Sequence, residues 1–288
     1  MKKIVILGCE NSHADNFLRQ IQTNTAYSDI EVLGVYSNEP EAQERICSNF
    51  GVPGLASYDA AVGQVDGVII TARHGDNHYK YAKPYIASGV PMFIDKPITV
   101  SESDAQQFMR ELKEAGVRIS GGSCLKYAQT IQELKQAHES AADGKTIGGC
   151  FRAPLSGNSP YGGFFFYAQH LVEMILTVFG KHPVSVAAFK KDVGITAVIR
   201  YAEFDICAVF TDTSHQYYAT RFSEKGTQGG NTTTAGCFEC EFHDFYQILH
   251  GGEQLESYED FAAPVYVMNA IFRSLESGKE ETVKECHI

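Results

Sequence analysis

The sequence lacks the features of a membrane protein or a polyanion-binding protein. No apolar run approaches the roughly 20 residues that cross a bilayer, and the opening apolar stretch, residues 4–7, is too short for the core of a signal peptide. Positive charge is also scarce, since 24 Lys and Arg stand against 35 Asp and Glu, a net charge of −11. An acidic chain repels phosphate backbones and anionic lipid. We therefore expect a cytoplasmic protein without nucleic-acid or membrane partners.

Internal repeats and low-complexity segments are absent as well, which excludes solenoids and disordered arrays. The chain has 288 residues, of which 44% are hydrophobic and 20% charged. At about 150 residues per domain, this length predicts two globular domains with a core each. Without export, the eight cysteines should remain reduced thiols.

The first half alternates between short apolar runs and helical patterns. The runs are typical of buried parallel strands, and they cover residues 3–7, 30–36, 67–71, 90–95 and 117–120. Helical spacing fills the intervals, with Ser12 and Ser101 as candidate N-caps. Strand–helix alternation with short connections predicts an α/β fold for residues 1–121, an N-terminal Rossmann domain with a doubly wound parallel sheet.

The second half, residues 122–288, has fewer helices. Helical patterns cover about 126–142, 165–179 and 258–277, and a strand covers 147–153. Further extended stretches occupy 184–189, 195–201, 205–211, 216–222 and 238–245. Consecutive strands with short polar turns predict a C-terminal α+β domain with an open, mostly antiparallel sheet, arranged as a meander. Its exposed face favours a homodimer or homotetramer.

The turn after the first strand is a degraded dinucleotide motif. A G-x-G-x-x-G turn lets the backbone approach a diphosphate, but only Gly8 fits here, because Glu10 and His13 occupy the other glycine positions. The helix N-terminus, with Asn11, Ser12 and His13, still attracts anions. The turn alone is equally compatible with a capped strand–helix connection that binds no ligand.

Other candidate cofactor contacts follow the later strands. Ser37 and Asn38 end the second strand and can bond to a ribose hydroxyl, but they do not decide between NAD and NADP. Arg73 and Arg45 are candidate phosphate partners or plain surface charges. His74, Asp76 and His78 form a polar cluster after the third strand, favouring helix capping or nucleotide contacts over a metal.

The sequence predicts no metal site. Cys237-x-x-Cys240-x-x-His243 has the spacing of zinc ligands, but the surrounding stretch alternates like a strand. In a strand Cys240 faces away from the other two side chains, so the three cannot converge. Structural thiols are the preferred interpretation.

One segment, together with its context, resembles a known family. Asp95-Lys96-Pro97 after a strand, with Ser101 opening a helix, resembles the E-K-P segment of the Gfo/Idh/MocA family of nicotinamide-dependent oxidoreductases. Residues 66–82, the Gly162-Gly163 to Gly180 segment and the ending 274–279 are also similar to that family, in the right order. The resemblance implies a Rossmann domain, an α/β substrate domain, oligomer contacts through the open sheet, and NAD- or NADP-linked oxidation or reduction of a small sugar, polyol or related carbonyl.

The resemblance also assigns residue roles. Lys96 matches the lysine of the family, and His170 matches its catalytic histidine. Two positions depart from the family pattern. Phe166 stands where the family has an aspartate, and Asp95 stands where it usually has the longer glutamate. Two other functions remain open: a binding protein that has lost catalysis, and a lyase or hydrolase with tightly held NAD. The substrate is expected to contact Lys96, Tyr161, Tyr167 and His170. The expected cofactor contacts are Gly8, Asn11, Ser12, His13, Ser37, Asn38, Thr71, Arg73, His74, His78, Asp95 and Lys96.

Overall fold

The computed structural model describes residues 1–288, and its first half is a five-stranded parallel sheet. The strands are β1 (Lys2–Leu7), β2 (Ile30–Tyr36), β3 (Gly67–Ile70), β4 (Met92–Asp95) and β5 (Ile119–Gly122). They lie in the order β2-β1-β3-β4-β5. The order reverses at β1, and this switch point is where open α/β sheets bind ligands. The predicted Rossmann sheet is confirmed.

Four helices connect these strands: α1 (Ser12–Thr23), α2 (Pro40–Phe50), α3 (Asp76–Ile86) and α4 (Glu102–Glu114). The N-cap of α4 is Ser101, as predicted, and its hydroxyl accepts from the Asp104 N–H at 3.1 Å. The cap of α1 is Asn11 rather than Ser12, because the Asn11 side chain accepts from the His13 N–H. The Ser12 hydroxyl is therefore free of the capping role.

The second sheet has seven strands: β6 (Thr146–Pro154), β7 (Ser185–Lys191), β8 (Gly194–Arg200), β9 (Asp205–Thr211), β10 (Tyr217–Ser223), β11 (Gly226–Thr232) and β12 (Glu281–Thr282). Their order is β11-β10-β6-β9-β8-β7-β12. The mostly antiparallel character is confirmed, but the simple meander is wrong. β6 inserts between β9 and β10, parallel to β9. β11 has no predicted counterpart, since its Gly-rich polar sequence lacks strand propensity.

The remaining helices are α5 (Gln129–Ser140), α6 (Phe165–Phe179), α7 (Cys237–Leu249) and α8 (Tyr258–Ser277), and two short 3-10 turns cover Thr25–Tyr27 and Cys124–Tyr127. None of the helices is both long and apolar enough to span a bilayer.

The strand predicted at 238–245 is wrong, because this segment lies inside α7. Its buried side chains, Cys237, Glu241, Phe242 and Phe245, recur with helical rather than alternating spacing. Phe242 packs edge-on against Tyr27 and near Phe17. The helix thus returns from the second half of the chain to cover the first sheet, and this packing outweighs local strand propensity. The domain division at residue 121 stays a prediction.

Candidate active site

A cleft of about 850 Å³ opens at the carboxyl ends of β1, β3 and β4. The second half of the chain closes its other side with α6 and the loop before it. Eight predicted site residues line this one cleft, although they come from distant segments: Asn11, Ser12, His13, Arg73, Lys96, Tyr161, Tyr167 and His170. The cleft also contains His215 and Tyr217, which sequence reasoning missed because nothing in their local pattern marks them.

Lys96 follows β4 directly and is 4% exposed. Its Nζ atom lies 4.9 Å from the ring centroid of Phe166 and 5.2 Å from that of Tyr167. No carboxylate forms an ion pair with it. The electron-rich faces of two aromatic rings therefore stabilise the ammonium where the family pattern places an aspartate. Phe166 thus has a specific contact in the cleft.

His170 lies on α6 with 6% of its surface exposed. Its Nδ1 atom hydrogen-bonds the Ser123 hydroxyl at 2.7 Å, and its ring is held between Tyr167 and Tyr217. Burial, reinforced by the nearby charge of Lys96, places the pKa of His170 well below 6.5. Ser123 is a further site residue that the sequence did not reveal.

Asp95 is fully buried behind the cleft wall and organises the residues in front of it. One of its oxygens accepts from the Lys96 backbone N–H at 2.7 Å. The other contacts the His13 ring at Nδ1 and the Asn11 side-chain amide. Burial alone would raise the pKa of Asp95, but the charge and hydrogen bond of His13 lower it below its ordinary value. Asp95 therefore orients His13 and Asn11.

Four predicted cofactor contacts are buried in the wall of the cleft. Thr71, His78 and Asp95 are 0% exposed, and Gly8 is also buried. His78 Nε2 bonds the Ala72 carbonyl at 2.8 Å. A Cβ on Gly8 would lie 2.3 Å from the Ala72 backbone, so this glycine permits close packing of β1 against the end of β3. These four residues support the cleft wall, and their direct contact with a cofactor stays a prediction.

A second cavity of about 400 Å³ lies beside the end of β2. Asn38, Arg73 and His74 line it as predicted cofactor contacts, together with Glu10 and Glu39. The Glu10 carboxylate turns towards β2, accepts from the Ser37 hydroxyl and leaves its other oxygen buried without a partner. Burial raises the pKa of Glu10 above its ordinary value.

The two arginines behave differently. Arg45 forms an ion pair with Asp15 at 2.7 Å on the surface, so its candidate phosphate role is not supported. Arg73 lies where the two cavities meet, forms no ion pair, and donates to the Tyr161 hydroxyl at 3.1 Å. That hydroxyl donates to Glu39 Oε1 at 3.0 Å. These two hydrogen bonds form an Arg73–Tyr161–Glu39 bridge that joins the second half of the chain to the first. The bridge lies across the crevice that the cleft and the second cavity form together.

The fold is a Rossmann-type α/β architecture with a cleft at the carboxyl edge of its first sheet. A family model described as an oxidoreductase family with an NAD-binding Rossmann fold matches residues 2–123. Residues 2–123 are therefore similar to the NAD-binding Rossmann domain of the Gfo/Idh/MocA oxidoreductases, in agreement with the resemblance seen in the sequence. The match agrees with the expected family resemblance and with NAD as the cofactor class.

Comparisons with individual proteins agree with this family. An uncharacterized oxidoreductase of Escherichia coli, YhhX, is 22% identical over 152 residues, which span 50% of this chain but only 44% of that protein. The scyllo-inositol dehydrogenase of Lactobacillus casei, solved with NAD(H) and scyllo-inositol, superposes with a TM-score of 0.83 at 16% identity, covering 98% of this chain and 99% of that chain. A myo-inositol dehydrogenase of Corynebacterium glutamicum gives 0.82 at 16% identity, with 99% of each chain covered. At these identities the structures show a shared fold.

Proposed function

We propose that this protein transfers a hydride between NAD and a CH–OH or carbonyl group of a small sugar, polyol or related compound. The observation that carries the proposal is the meeting of Lys96 and His170 in one cleft, both against the Tyr167 ring, at the carboxyl edge of an NAD-binding domain. A buried imidazole and a buried ammonium at such an edge provide a proton acceptor and a positive charge for one substrate oxygen.

The chain's own residues fit a dinucleotide. Arg73 forms no ion pair and lies close to the N-terminus of α1, so its charge and the helix dipole can attract a diphosphate that displaces the Tyr161 hydroxyl. Ser12 adds a hydroxyl at that helix tip. Glu10 and Glu39 lie beside Asn38 in the second cavity, where carboxylates accept from ribose hydroxyls but repel a 2′-phosphate. We therefore propose NAD rather than NADP.

The proton chemistry follows from the geometry of His170 and Lys96. When Nδ1 of His170 donates to Ser123, its Nε2 atom is unprotonated and accepts the proton of a substrate hydroxyl. Lys96 donates a hydrogen bond to the same oxygen and stabilises the negative charge that develops there. Bound NAD supplies the acceptor for the hydride. The Phe166 and Tyr167 rings hold the ammonium without competing for its N–H groups as a carboxylate would.

The lining of the cleft favours a polyhydroxylated substrate. Beyond Lys96 and His170 it presents the hydroxyls of Ser156, Ser159 and Tyr217, which can donate to and accept from sugar hydroxyls. Inositol dehydrogenases share the fold, and a related oxidoreductase from Agrobacterium radiobacter was solved with NAD+, L-tartaric acid and magnesium. We propose a small polyol or sugar derivative as the substrate.

Cofactor binding distinguishes the proposed oxidoreductase from the two alternatives, a binding protein that has lost catalysis and a lyase or hydrolase with tightly held NAD. The Arg73–Tyr161–Glu39 bridge lies across the crevice, as expected of a protein that binds a sugar but no longer a dinucleotide. A lyase or hydrolase would instead retain NAD through purification. An exchangeable cofactor distinguishes the proposed oxidoreductase from both.

Calorimetric titration with NAD+ and NADP+ tests the proposal. We expect one NAD+ per chain, with NADP+ at least tenfold weaker because of the two carboxylates. Ser12→Glu should weaken NAD+ binding by charge repulsion at the helix tip, whereas Ser103→Glu, an exposed position in the first turn of α4, should leave it unchanged. No NAD+ binding would favour the sugar-binding alternative, and NAD that survives purification would favour the lyase or hydrolase.

We also propose a cytoplasmic homo-oligomer. All eight cysteines are free, in keeping with a reducing compartment. The outer face of the second sheet carries Phe189, Val198, Val209 and Phe222, which lie opposite the helices. A second copy of the chain is the proposed cover for this face.

A further inference from the structure

Three buried side chains with metal-binding chemistry meet behind the cleft. They are His13 in the first turn of α1, Cys124 in the turn after β5, and Glu241 in α7. Their potential ligand atoms all lie within 4.8 Å of one another. The exposed fractions are 5% for His13, 2% for Cys124 and 0% for Glu241. Sequence reasoning missed this set because its members are more than 100 residues apart and α7 was predicted as a strand.

Glu241 provides the strongest evidence for a bound cation. Both of its carboxylate oxygens are buried, and neither has a hydrogen-bond partner. An unpaired carboxylate in a protein interior is very costly, so such a group is either protonated or bound to a cation. Neither nearby lysine reaches it, because Lys126 is paired with Glu256 at 2.9 Å and Lys96 faces the aromatic rings.

His13 is already oriented as a metal ligand. Its Nδ1 atom bonds the buried Asp95 carboxylate, so in the neutral form of the ring, which is the form that binds metals, Nε2 carries the free lone pair. Metal-binding histidines usually make this outer contact to a carboxylate, which fixes the ring and strengthens the ligand. Phe238 packs edge-on at 5.0 Å and further restrains the ring.

Nitrogen, sulfur and carboxylate oxygen together form a zinc-type donor set. Mg²⁺ and Ca²⁺ prefer oxygen ligands only, so the Cys124 thiol disfavours them. Tetrahedral zinc with these ligands requires donor separations of about 3.4–3.8 Å. The present atoms, all within 4.8 Å of one another, reach that range by approaching one another by at most about 1.4 Å.

We propose that His13, Cys124 and Glu241 bind one Zn²⁺ ion whose fourth position opens towards the cleft. His13 and Cys124 both form part of the cleft lining, and three protein ligands with one open position are typical of catalytic zinc sites. The open position is suited to a water molecule or an oxygen of the substrate. Metal binding does not depend on the proposed hydride transfer, so each can fail without the other.

Zinc content and cobalt substitution of the full-length protein test the site. We expect one tightly bound Zn²⁺ per chain by elemental analysis, displaced only by a strong chelator. Co²⁺ in its place should show a thiolate-to-metal charge-transfer band, which reports Cys124 coordination without any substitution. Added Zn²⁺ should also raise the melting temperature of the chelator-treated protein.

Variants assign the ligands. Cys124→Ser and the isosteric Glu241→Gln should each weaken zinc affinity by more than about 100-fold, since even outer contacts are worth 10- to 100-fold. Cys240→Ser and His243→Gln, on the same helix but outside the cluster, should leave it unchanged. Loss of binding in these controls would assign the metal to the surface and overturn the proposal. A second result would also overturn the proposal: wild-type protein that lacks stoichiometric zinc and shows the infrared band of a protonated carboxylic acid. That band would belong to Glu241 if the Glu241→Gln variant lacks it.

Discussion

The ammonium of Lys96 differs from an ordinary buried lysine because aromatic rings, not a carboxylate, hold it. A paired carboxylate would neutralise most of its charge, whereas ring faces attract the cation and leave its three N–H groups free. The replacement of an acidic residue by Phe166 therefore leaves the charge of Lys96 available to the substrate oxygen.

Removal of the side chain of Lys96 or of His170 should strongly reduce turnover without unfolding the protein. We expect Lys96→Met to lower kcat by about 100- to 1000-fold, through lost stabilisation of charge. We expect His170→Asn to lower it by about 100- to 10,000-fold, through loss of the base. Steady-state rates measure both, and calorimetry should show nearly unchanged NAD+ affinity for His170→Asn. Undiminished activity in either variant would contradict the assigned roles.

The pH profile should reflect the burial of His170. Because burial places its pKa well below 6.5, the imidazole stays neutral and able to accept a proton as the pH falls through that value. The acidic limb of kcat/KM for alcohol oxidation should therefore lie below pH 6.5, and the His170 ring signals should titrate there in NMR spectra. A limb at or above pH 6.5 that coincides with the titration of His170 would contradict this environment.

Short motifs identified some site residues but not others. Lys96 and His170 were predicted because each lies in a segment that resembles the family. Ser123 and Glu241 were not, since a serine after a strand and a glutamate among aromatic residues have many ordinary uses. Gly8, Thr71 and His78 were assigned to the cofactor because they lie near the strand ends in sequence. Burial, which a motif does not encode, makes them supports of the wall instead.

Among the structural elements, the loop before α6 controls the crevice through Tyr161. Its hydroxyl makes both hydrogen bonds of the Arg73–Tyr161–Glu39 bridge, and a dinucleotide that spans the two cavities must displace it. Tyr161→Phe should free Arg73 and tighten NAD+ binding by about fivefold to tenfold, at roughly 1 kcal/mol for a hydrogen bond. Calorimetry measures the change. Weaker binding would mean that the hydroxyl contacts the cofactor directly.

The sequence predicted best those elements in which the spacing of the apolar residues matches the spacing of the residues that are buried. The strands of the first sheet are mostly apolar, because helices cover both faces, and all five were found. The segment 237–249 failed because Phe238, Cys240 and Phe242 alternate with acidic residues over a short stretch, while the buried face of the whole segment follows a helical period. Its partners, Phe17 and Tyr27, are more than 200 residues away, so no local window contains the interaction that decides its structure.

For the whole molecule, the open face of the second sheet predicts self-association. Light scattering should give a dimer or tetramer of the 31.7 kDa chain. Val209→Glu, which places a charge within that face, should shift the protein towards the monomer. Val193→Glu, at an exposed apolar position in the turn between β7 and β8, serves as the matched control. A wild-type monomer would refute the assembly.

At the scale of the whole molecule, the central claim is that the cleft between its two halves supports hydride transfer from the substrate to NAD+. The most direct test is mass-spectrometric detection of deuterated NADH after incubation with NAD+ and inositols or sugar alcohols deuterated at their carbinol carbons. Wild-type protein should form deuterated NADH from at least one of them, and His170→Asn should form at least about 100-fold less. Wild-type protein that binds NAD+ but transfers no deuterium from any of these compounds would contradict the account.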